Sequence, residues 1–196
     1  KNDFNHMKIL GQFNLGFIIT SLKKGPHQYL LIIDQHASEE RYNFEQFIQH
    51  TTLVKQPLVT PILLQISTIN MLLIEEHMSV FQRNGFDLEI RETKELEKQV
   101  YLKALPLSKN IVFGVEDVED LCFKLSQDDS YHNKLEIRPD KVMRMLASRA
   151  CRQAVMIGTP LSIKQMTQIV RKLHNLTNPW ICAHGRPSER CAGQIT

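Results

Sequence analysis

The sequence lacks any apolar run close to the roughly 20 residues that a membrane-spanning helix needs. Its opening residues, Lys1 to His6, do not form a signal peptide. We also find no internal repeat and no low-complexity segment, which excludes a repeat architecture. A chain of 196 residues with this composition is expected to form one sizeable core, or a core with a small second subdomain, and to have no membrane partner.

The chain carries little net positive charge and few cysteines. The chain has 24 Lys and Arg against 21 Asp and Glu, a net charge of +3. Proteins that hold DNA by themselves are usually more basic, so any DNA contact is expected to be weak or shared with other domains. The four cysteines lie at wide, irregular spacing, which argues against a disulfide framework and favours a reducing compartment with thiols free for metal.

Apolar periodicity predicts antiparallel strands near the start of the chain and helices later, the pattern of an α+β (α/β) fold. Turns at Asn14-Leu15 and Lys23–Pro26 separate the first strands. Pro139 suits the first turn of one helix, and Ser162 is placed to cap the last. The predicted strands are 7–13, 16–22, 29–33, 58–66 and 86–91, and the predicted helices are about 36–49, 71–81, 117–126, 139–151 and 163–174.

The stretch 57–137 differs in character and is interpreted as a subdomain inserted into the first one. It contains one predicted amphipathic helix that Asn84-Gly85 ends, a charged stretch at Glu92–Gln99 and a polar loop at Gln127–Glu136. The apolar stripe of that helix is predicted to comprise Met71, Leu72, Ile74, Met78 and Phe81. The last helix is predicted to turn Ile163, Met166, Ile169, Val170 and Leu173 inward.

Four potential metal ligands or general bases follow the buried strand 29–33: Asp34, His36, Glu40 and Glu45. His36 and Glu40 are four residues apart on a helix, so they share a face and can share an ion such as zinc or manganese. Glu45 points roughly 140° away from Glu40, which favours a positioning role or a salt bridge. Asp34 could cap the helix, hold a water or bind a second metal. The alternative is that His36 and Glu40 simply lie on a solvent-exposed face of the helix and bind no metal.

Cys182 and His184 are separated by one residue in an extended loop, a spacing at which two side chains can chelate one ion or bridge two. Cys151 at the end of a helix could join them or be a buried core thiol. With His36 and Glu40 these make five ligands, too many for one tetrahedral centre. Two metals about 4 Å apart are a standard device for cutting phosphodiesters.

Three arginines lie near these ligands in the sequence: Arg149, Arg152 and Arg186. Their guanidinium groups would suit a scissile phosphate or the neighbouring backbone, and Arg152 and Arg186 are the candidates for DNA contact. The alternative is that they pair with Asp34, Glu39 or Glu45 in structural salt bridges.

A separate motif lies at Gln56-Pro57-Leu58-Val59-Thr60-Pro61. An extended segment bracketed by prolines, with a leading Gln and two aliphatic residues, can dock into a hydrophobic groove on a partner. An ordinary loop entering a strand has the same pattern.

The segment Asp34-Gln35-His36-Ala37-x-x-Glu40-x-x-x-x-Glu45 resembles the endonuclease motif of the MutL mismatch-repair family, position for position. Ala150-Cys151-Arg152 is similar to the family's second motif and Cys182–Pro187 to its third. Residues 11–19, 41–45 and 155–159 resemble the eukaryotic post-meiotic-segregation branch, the nicking subunit of MutL-alpha. Arg41 departs mildly from the usual Lys, and the tail 189–196 does not match, so Cys191 is given no role.

The resemblance implies a carboxy-terminal dimerisation and endonuclease domain. Its dimerisation subdomain would comprise about 1–56 and 138–196, and 57–137 would be an inserted regulatory subdomain. The implied metal ligands are His36, Glu40, Cys151, Cys182 and His184, and Asp34 and Glu45 complete the implied catalytic motif with Glu40. The implied clamp-binding residues are Gln56, Leu58, Val59 and Pro61.

The resemblance also implies cofactors and partners. Two bound Zn²⁺ ions and activating Mn²⁺ are expected, with ATP acting only through the family's separate amino-terminal domain. The expected partners are a MutL-homologue subunit in a heterodimer, the sliding clamp (proliferating cell nuclear antigen), double-stranded DNA and, through the full protein, a MutS-type mismatch-recognition complex. The expected location is the nucleus.

The hypothesis is therefore a metal-dependent endodeoxyribonuclease that nicks one strand of duplex DNA. The alternative is a non-catalytic module in which zinc staples the chain together for dimerisation and clamp binding. A metallopeptidase is disfavoured because the helix lacks the His-Glu-x-x-His arrangement of such enzymes.

Overall fold

The computed structural model describes residues 2–95, 97–127 and 134–195. The chain divides into two units, one made of Lys1–Phe47 with Leu146–Thr196 and the other of Ile48–Met145. The second unit thus extends further at both ends than the interpreted insertion at 57–137. Mixed helices and antiparallel sheets make the fold α+β, as predicted.

A four-stranded antiparallel sheet organises the first unit. In the sheet the order is β1-β2-β3-β7, so strands adjacent in sequence are hydrogen-bonded and the last strand joins β3. The strands are β1 (Lys8–Phe13), β2 (Phe17–Lys24), β3 (His27–Asp34) and β7 (Glu189–Ile195). The predicted antiparallel start is confirmed, whereas no strand was predicted in the tail 189–196, where β7 lies.

The turn between β1 and β2 has an uncommon backbone. Asn14 and Leu15 both have positive φ, 48° and 47°, a conformation that branched and bulky residues seldom adopt. Two donors hold the Leu15 carbonyl oxygen: the Gly158 backbone N–H at 2.8 Å and the Gln35 side-chain amide at 3.0 Å. The turn is therefore tied to the start of the following helix and to the 154–161 loop.

Helices cover the buried face of this sheet. The helix α1 (Gln35–His50) begins directly after β3, and α6 (Ile163–Lys172) packs across the sheet. Ser162 caps α6, as predicted, accepting a hydrogen bond from the Gln165 backbone N–H. The core consists of Phe4, Ile18, Ile33, Met166, Ile169, Val170, Leu173 and Leu176. The inward prediction was wrong for Ile163, which is the first residue of α6 and is exposed because it precedes the buried stripe.

The second unit contains a three-stranded antiparallel sheet in the order β4-β6-β5. Phe86 and Phe113 meet edge to face in its core. The strands are β4 (Lys55–Leu63), β5 (Asp87–Glu92) and β6 (Lys98–Pro106), and the helices are α2 (Thr68–Glu76), α3 (Met78–Arg83) and α4 (Val115–Ser126). The helix α5 (Asp140–Gln153) begins in this unit and ends in the first, and short 3-10 turns occur at Asn2–Asn5, Lys134–Glu136 and Leu173–Asn175.

Three details predicted for this unit differ from the structure. The single helix at 71–81 is two helices, because His77 leaves helical geometry with φ −116° and ψ 30°. Leu72, predicted to be in its apolar stripe, is exposed. The strand predicted at 58–66 begins earlier, at Lys55, and ends at Leu63. Residues 128–133 of the predicted polar loop lie outside the described residues.

Among the helices of the described residues, none combines the length and apolar character needed to cross a bilayer.

Candidate metal centre

Asp34 closes the strand β3 and caps α1. Its Oδ1 accepts a hydrogen bond from the Ala37 backbone N–H at 2.9 Å, which satisfies a donor that the first turn of a helix leaves unpaired. Its own backbone N–H donates to the Ser188 carbonyl oxygen at 2.9 Å. Of the roles left open for Asp34, the geometry provides the cap, and it ties the strand end to the segment after Cys182.

A first group of ligand atoms joins α1 to the end of α5. The Nε2 atom of His36 lies 3.4 Å from Oε2 of Glu40 and 3.5 Å from Sγ of Cys151. Tetrahedral bonds of the usual Zn–N, Zn–O and Zn–S lengths place neighbouring ligand atoms roughly 3.3–3.6 Å apart. The three side chains therefore have the mutual spacing of ligands around one small divalent cation.

A second group shares Glu40 with the first. Its other oxygen, Oε1, lies 2.8 Å from Nδ1 of His184, and Cys182 completes a set of three ligand atoms that all lie within 4.8 Å of one another. Glu40 is only 1% exposed, although it carries a carboxylate. A buried carboxylate needs partners, and here both of its oxygens face imidazole nitrogens.

The loop that carries Cys182 and His184 is tightly turned. The Cys182 N–H donates to the Arg186 carbonyl oxygen at 2.8 Å, and the Gly185 N–H donates to the Cys182 carbonyl oxygen at 3.0 Å. Gly185 has φ +82°, a conformation that suits glycine. An isolated bridge between Ile181 and Pro187 closes the loop at its base. Local backbone bonds thus hold the thiol and the imidazole on one side of the turn.

The protonation of these groups follows from burial and proximity. Burial works against ionisation of Glu40, but its hydrogen bonds with His184 and Cys182 and the nearby imidazoles outweigh burial and lower its pKa. Burial and the Glu40 carboxylate raise the pKa of the Cys151 thiol. Burial also raises the pKa of the Cys182 thiol, although backbone N–H groups act against it. The centre thus combines one ionised carboxylate with two protonated thiols.

The donor set fits a divalent cation. Two thiols, two imidazoles and a shared carboxylate are the ligand types of zinc, and soft sulfur favours zinc over manganese or magnesium. A cation would replace the thiol protons and would neutralise the charge concentrated on Glu40. All five predicted ligands fall into these two groups.

Glu45 lies outside both ligand groups found in the described residues. It is buried, and its oxygens accept hydrogen bonds from the backbone N–H groups of Thr177 at 2.7 Å and Asn178 at 3.0 Å. Arg41, one turn earlier on α1, pairs with it at 2.7 Å. Glu45 therefore anchors the start of the segment that leads to Cys182, which agrees with a positioning role.

The arginines take different environments. Arg149 lies over the Phe47 ring at 4.5 Å, and exposed Arg152 donates to the Ser148 hydroxyl at 2.9 Å. The exposed side chain of Arg186 lines a cavity of about 500 Å³ together with Asp34 and other residues. Glu39 and Glu45 instead pair with Lys172 and Arg41. Arg152 and Arg186 therefore stay available to solvent beside the ligand groups.

The model of the family described as "MutL C terminal dimerisation domain" matches residues 10–161 of this chain. The chain belongs to this MutL family. It is 43% identical over 190 residues to "Mismatch repair endonuclease PMS2" of Homo sapiens, which covers 97% of this chain and 21% of that protein. The same identity over 190 residues relates it to "DNA mismatch repair protein PMS1" of Saccharomyces cerevisiae, covering 97% of this chain and 22% of that protein. A more distant relative is "DNA mismatch repair protein MutL" of Clostridium botulinum, 30% identical over 190 residues, 95% of this chain and 27% of that protein.

The chain thus spans about a fifth of the length of the first two relatives.

Within this MutL chain, the predicted clamp-binding residues lie on β4, at the edge of the second unit's sheet. Pairing of β4 with β6 is interrupted between Pro57 and Ile62. Val59 is fully exposed and Leu58 is half-buried. The predicted clamp-binding residues therefore lie on a bulge in an edge strand.

Gln35 has no predicted role in this MutL chain, yet its polar side chain is fully buried and hydrogen-bonded. Its side-chain amide donates to the carbonyl oxygens of Leu15 and Met156, each at 3.0 Å, and its own oxygen accepts from Gln12 at 2.7 Å. It joins the first strand turn to the loop after α5. Its position in the sequence, between Asp34 and His36, could have identified Gln35, because that position places a polar side chain on the buried side of the start of α1.

Proposed function

We propose that this chain is the metal-dependent endonuclease domain of a MutL-alpha-type mismatch-repair heterodimer, which hydrolyses a phosphodiester in one strand of duplex DNA. The observation that supports the proposal most directly is the sharing of buried Glu40 by two ligand groups. The endonuclease names of relatives at 43% identity support it as well.

The residues would divide the work as follows. His36 and Cys151 would hold one cation, and Cys182 and His184 a second, with Glu40 contributing an oxygen to each. Bound divalent ions would polarise the scissile phosphate and lower the pKa of the attacking water. Zinc is the expected resident ion, and Mn²⁺ is the expected activator in the nicking reaction.

Charge around the centre fits a phosphodiester substrate. Arg152 and Arg186 are exposed beside the ligand groups and can donate to non-bridging phosphate oxygens. Asp34 would hold water or substrate only through the oxygen that its capping bond leaves free. The chain's net charge of +3 is small, so recruitment by partners would supply most of the affinity for DNA.

The partners follow from the same proposal. The family described as a dimerisation domain supports pairing with a MutL-homologue subunit. The exposed bulge at Gln56–Pro61 would bind the sliding clamp, which would orient the site on one strand. A MutS-type complex and ATP would act through other parts of the full protein, and the expected location is the nucleus.

The test uses the full-length heterodimer with Mn²⁺ and loaded clamp on supercoiled plasmid. Glu40→Ala is expected to abolish nicking because it removes a ligand from both groups, whereas Glu119→Ala, on an exposed face of α4, is expected to nick normally. Circular dichroism and dimer formation should match the wild type. Normal nicking by a folded Glu40→Ala protein would contradict the enzyme proposal.

The second candidate is a non-catalytic module in which zinc staples Cys182 and His184 to α1. The observation that favours it is that the same five ligands join three separate segments of the first unit. Under this alternative, Glu40→Ala would weaken zinc binding and unfolding stability, yet the wild-type heterodimer would not nick DNA under any metal condition.

A further inference from the structure

Two side chains of α1 bond to the backbone of one residue, Val155, in the loop after α5. The Oε2 atom of Glu39 accepts a hydrogen bond from the Val155 backbone N–H at 2.8 Å. Nδ1 of His36 lies 3.0 Å from the carbonyl oxygen of the same Val155. Both polar groups of a single residue are therefore bonded to α1, more than a hundred residues earlier in the chain.

This arrangement determines which nitrogen of His36 carries the proton. A carbonyl oxygen only accepts, so the contact with Val155 requires Nδ1–H as the donor. The other ring nitrogen, Nε2, faces Cys151 and Glu40, at 3.5 Å and 3.4 Å, so it is the nitrogen that a metal would bind. A neutral imidazole with a free Nε2 is the form that binds a metal.

The Val155 carbonyl can direct His36 only if the backbone of Val155 is itself fixed. Val155 follows the last turn of α5, where the Ala154 N–H donates to the Ala150 and Cys151 carbonyl oxygens. The bond from Val155 N–H to Glu39 fixes the next peptide along. Glu39 therefore restrains the segment that connects Cys151 to the acceptor of His36.

We propose that Glu39 is a positioning residue for the metal centre: it holds the backbone N–H of Val155, the residue whose carbonyl oxygen in turn sets the tautomer and ring orientation of His36. The inference rests on the metal use in the proposed function. Glu39 touches no ligand atom in this role, and it acts through the backbone of Val155. Partners that orient a ligand in this way commonly change metal affinity by about 10–100-fold.

A second contact of Glu39, an ion pair with Lys172, could also explain a change in metal affinity when Glu39 is replaced. Its Oε1 lies 3.5 Å from Nζ of Lys172, a partly exposed ion pair. Long ion pairs of this kind contribute little, because solvent screens them and the side chains lose conformational freedom. The two contacts can be separated by mutation, because Lys172→Ala removes the ion pair and leaves the bond from the Val155 N–H to Oε2 of Glu39 in place.

The experiment measures zinc affinity of the 196-residue chain by competition with a chromophoric chelator. Glu39→Met keeps the length of the side chain but cannot accept the Val155 N–H, and it should weaken zinc binding by about 10–100-fold. Glu39→Gln retains an acceptor oxygen and should bind zinc within about threefold of the wild type. Lys172→Ala is the matched control for the ion pair and should also leave the affinity unchanged.

A second readout does not require metal. Long-range ¹H–¹⁵N spectra of the metal-free wild-type chain should show His36 protonated at Nδ1, and hydrogen exchange should show a protected Val155 amide. Glu39→Met should give a mixture of His36 tautomers and faster exchange at Val155. A His36 protonated only at Nε2, or an unprotected Val155 amide, in the wild type overturns the positioning role, even where a variant fails to fold.

The outcomes separate this inference from the proposed function. A wild-type chain that binds no zinc contradicts the metal use, whatever the His36 tautomer. Equal zinc affinity for Glu39→Met and the wild type, with unchanged His36 spectra, contradicts the positioning role alone. A loss in Lys172→Ala as large as that in Glu39→Met assigns the effect to the ion pair and contradicts it as well.

Discussion

Removing the Glu45 side chain tests how the segment that carries Cys182 and His184 is held. Glu45 is buried and accepts hydrogen bonds from the Thr177 and Asn178 backbone N–H groups. The variant Glu45→Ala leaves both donors without their acceptor and removes the partner of Arg41.

The magnitude follows from these contacts. A hydrogen bond to a charged group contributes about 1.5–3 kcal/mol, and loss of one partner of a buried pair costs about 3–5 kcal/mol in total. Arg41 is partly exposed and can recover water, so the free energy of unfolding is expected to fall by about 3–4 kcal/mol. Glu45→Gln keeps one acceptor oxygen, and about half of that loss is expected.

The assay is urea unfolding of metal-free protein, combined with hydrogen exchange at single amides. Exchange of the Thr177 and Asn178 amides should accelerate in Glu45→Ala more than exchange in the strand β2. Zinc binding by Cys182 and His184 should weaken, whereas the His36 and Cys151 ligands should be less affected. A loss of unfolding free energy below about 1 kcal/mol, with both amides still protected, would refute the anchoring role of Glu45.

Three further predictions concern protons, the clamp segment and the core. Burial raises the pKa of both the Cys151 and the Cys182 thiol, so both are protonated at pH 7. Zinc binding should therefore release close to two protons per chain, which calorimetry in two buffers of different ionisation enthalpy measures. For the same reason, the affinity for zinc should fall as the pH falls. Release of no protons would contradict this. Val59→Asp should change unfolding free energy by less than about 0.5 kcal/mol while abolishing clamp capture in pull-downs, and retained capture would contradict the assignment. Leu173→Ala should cost about 2–5 kcal/mol in urea unfolding, and the exposed control Ile163→Ala less than about 0.5; similar losses would contradict the core assignment.

The local sequence pattern was sufficient to predict the strand and helix elements that position the site. The run 16–22 was predicted to be a strand, and it forms β2 (Phe17–Lys24), in which Ile18, Thr20 and Leu22 are buried. Ser162 predicted the start of α6 because its hydroxyl can accept an early backbone N–H, and that capping bond is confirmed. In these segments the local preference and the packing agree, so each reinforces the other.

Local pattern failed where a distant partner decides the structure. The segment Glu189–Ile195 has no clear apolar alternation, yet it forms β7 because the edge of β3 offers unpaired backbone groups. The apolar spacing from Met71 to Phe81 fits one helix, but His77 breaks it into two. Neither outcome is encoded in the propensity of the residues involved.

The sequence alone determined the types of ligand and their spacing within each segment, because a helix places His36 and Glu40 on one face and a short loop keeps Cys182 near His184. Only the tertiary structure decided that Glu40 faces both histidines and that Val155 orients His36. Ligand atoms around a cation must approach within about 4 Å of one another. Residues more than a hundred positions apart meet that requirement only through packing of whole strands and helices, which no local pattern specifies.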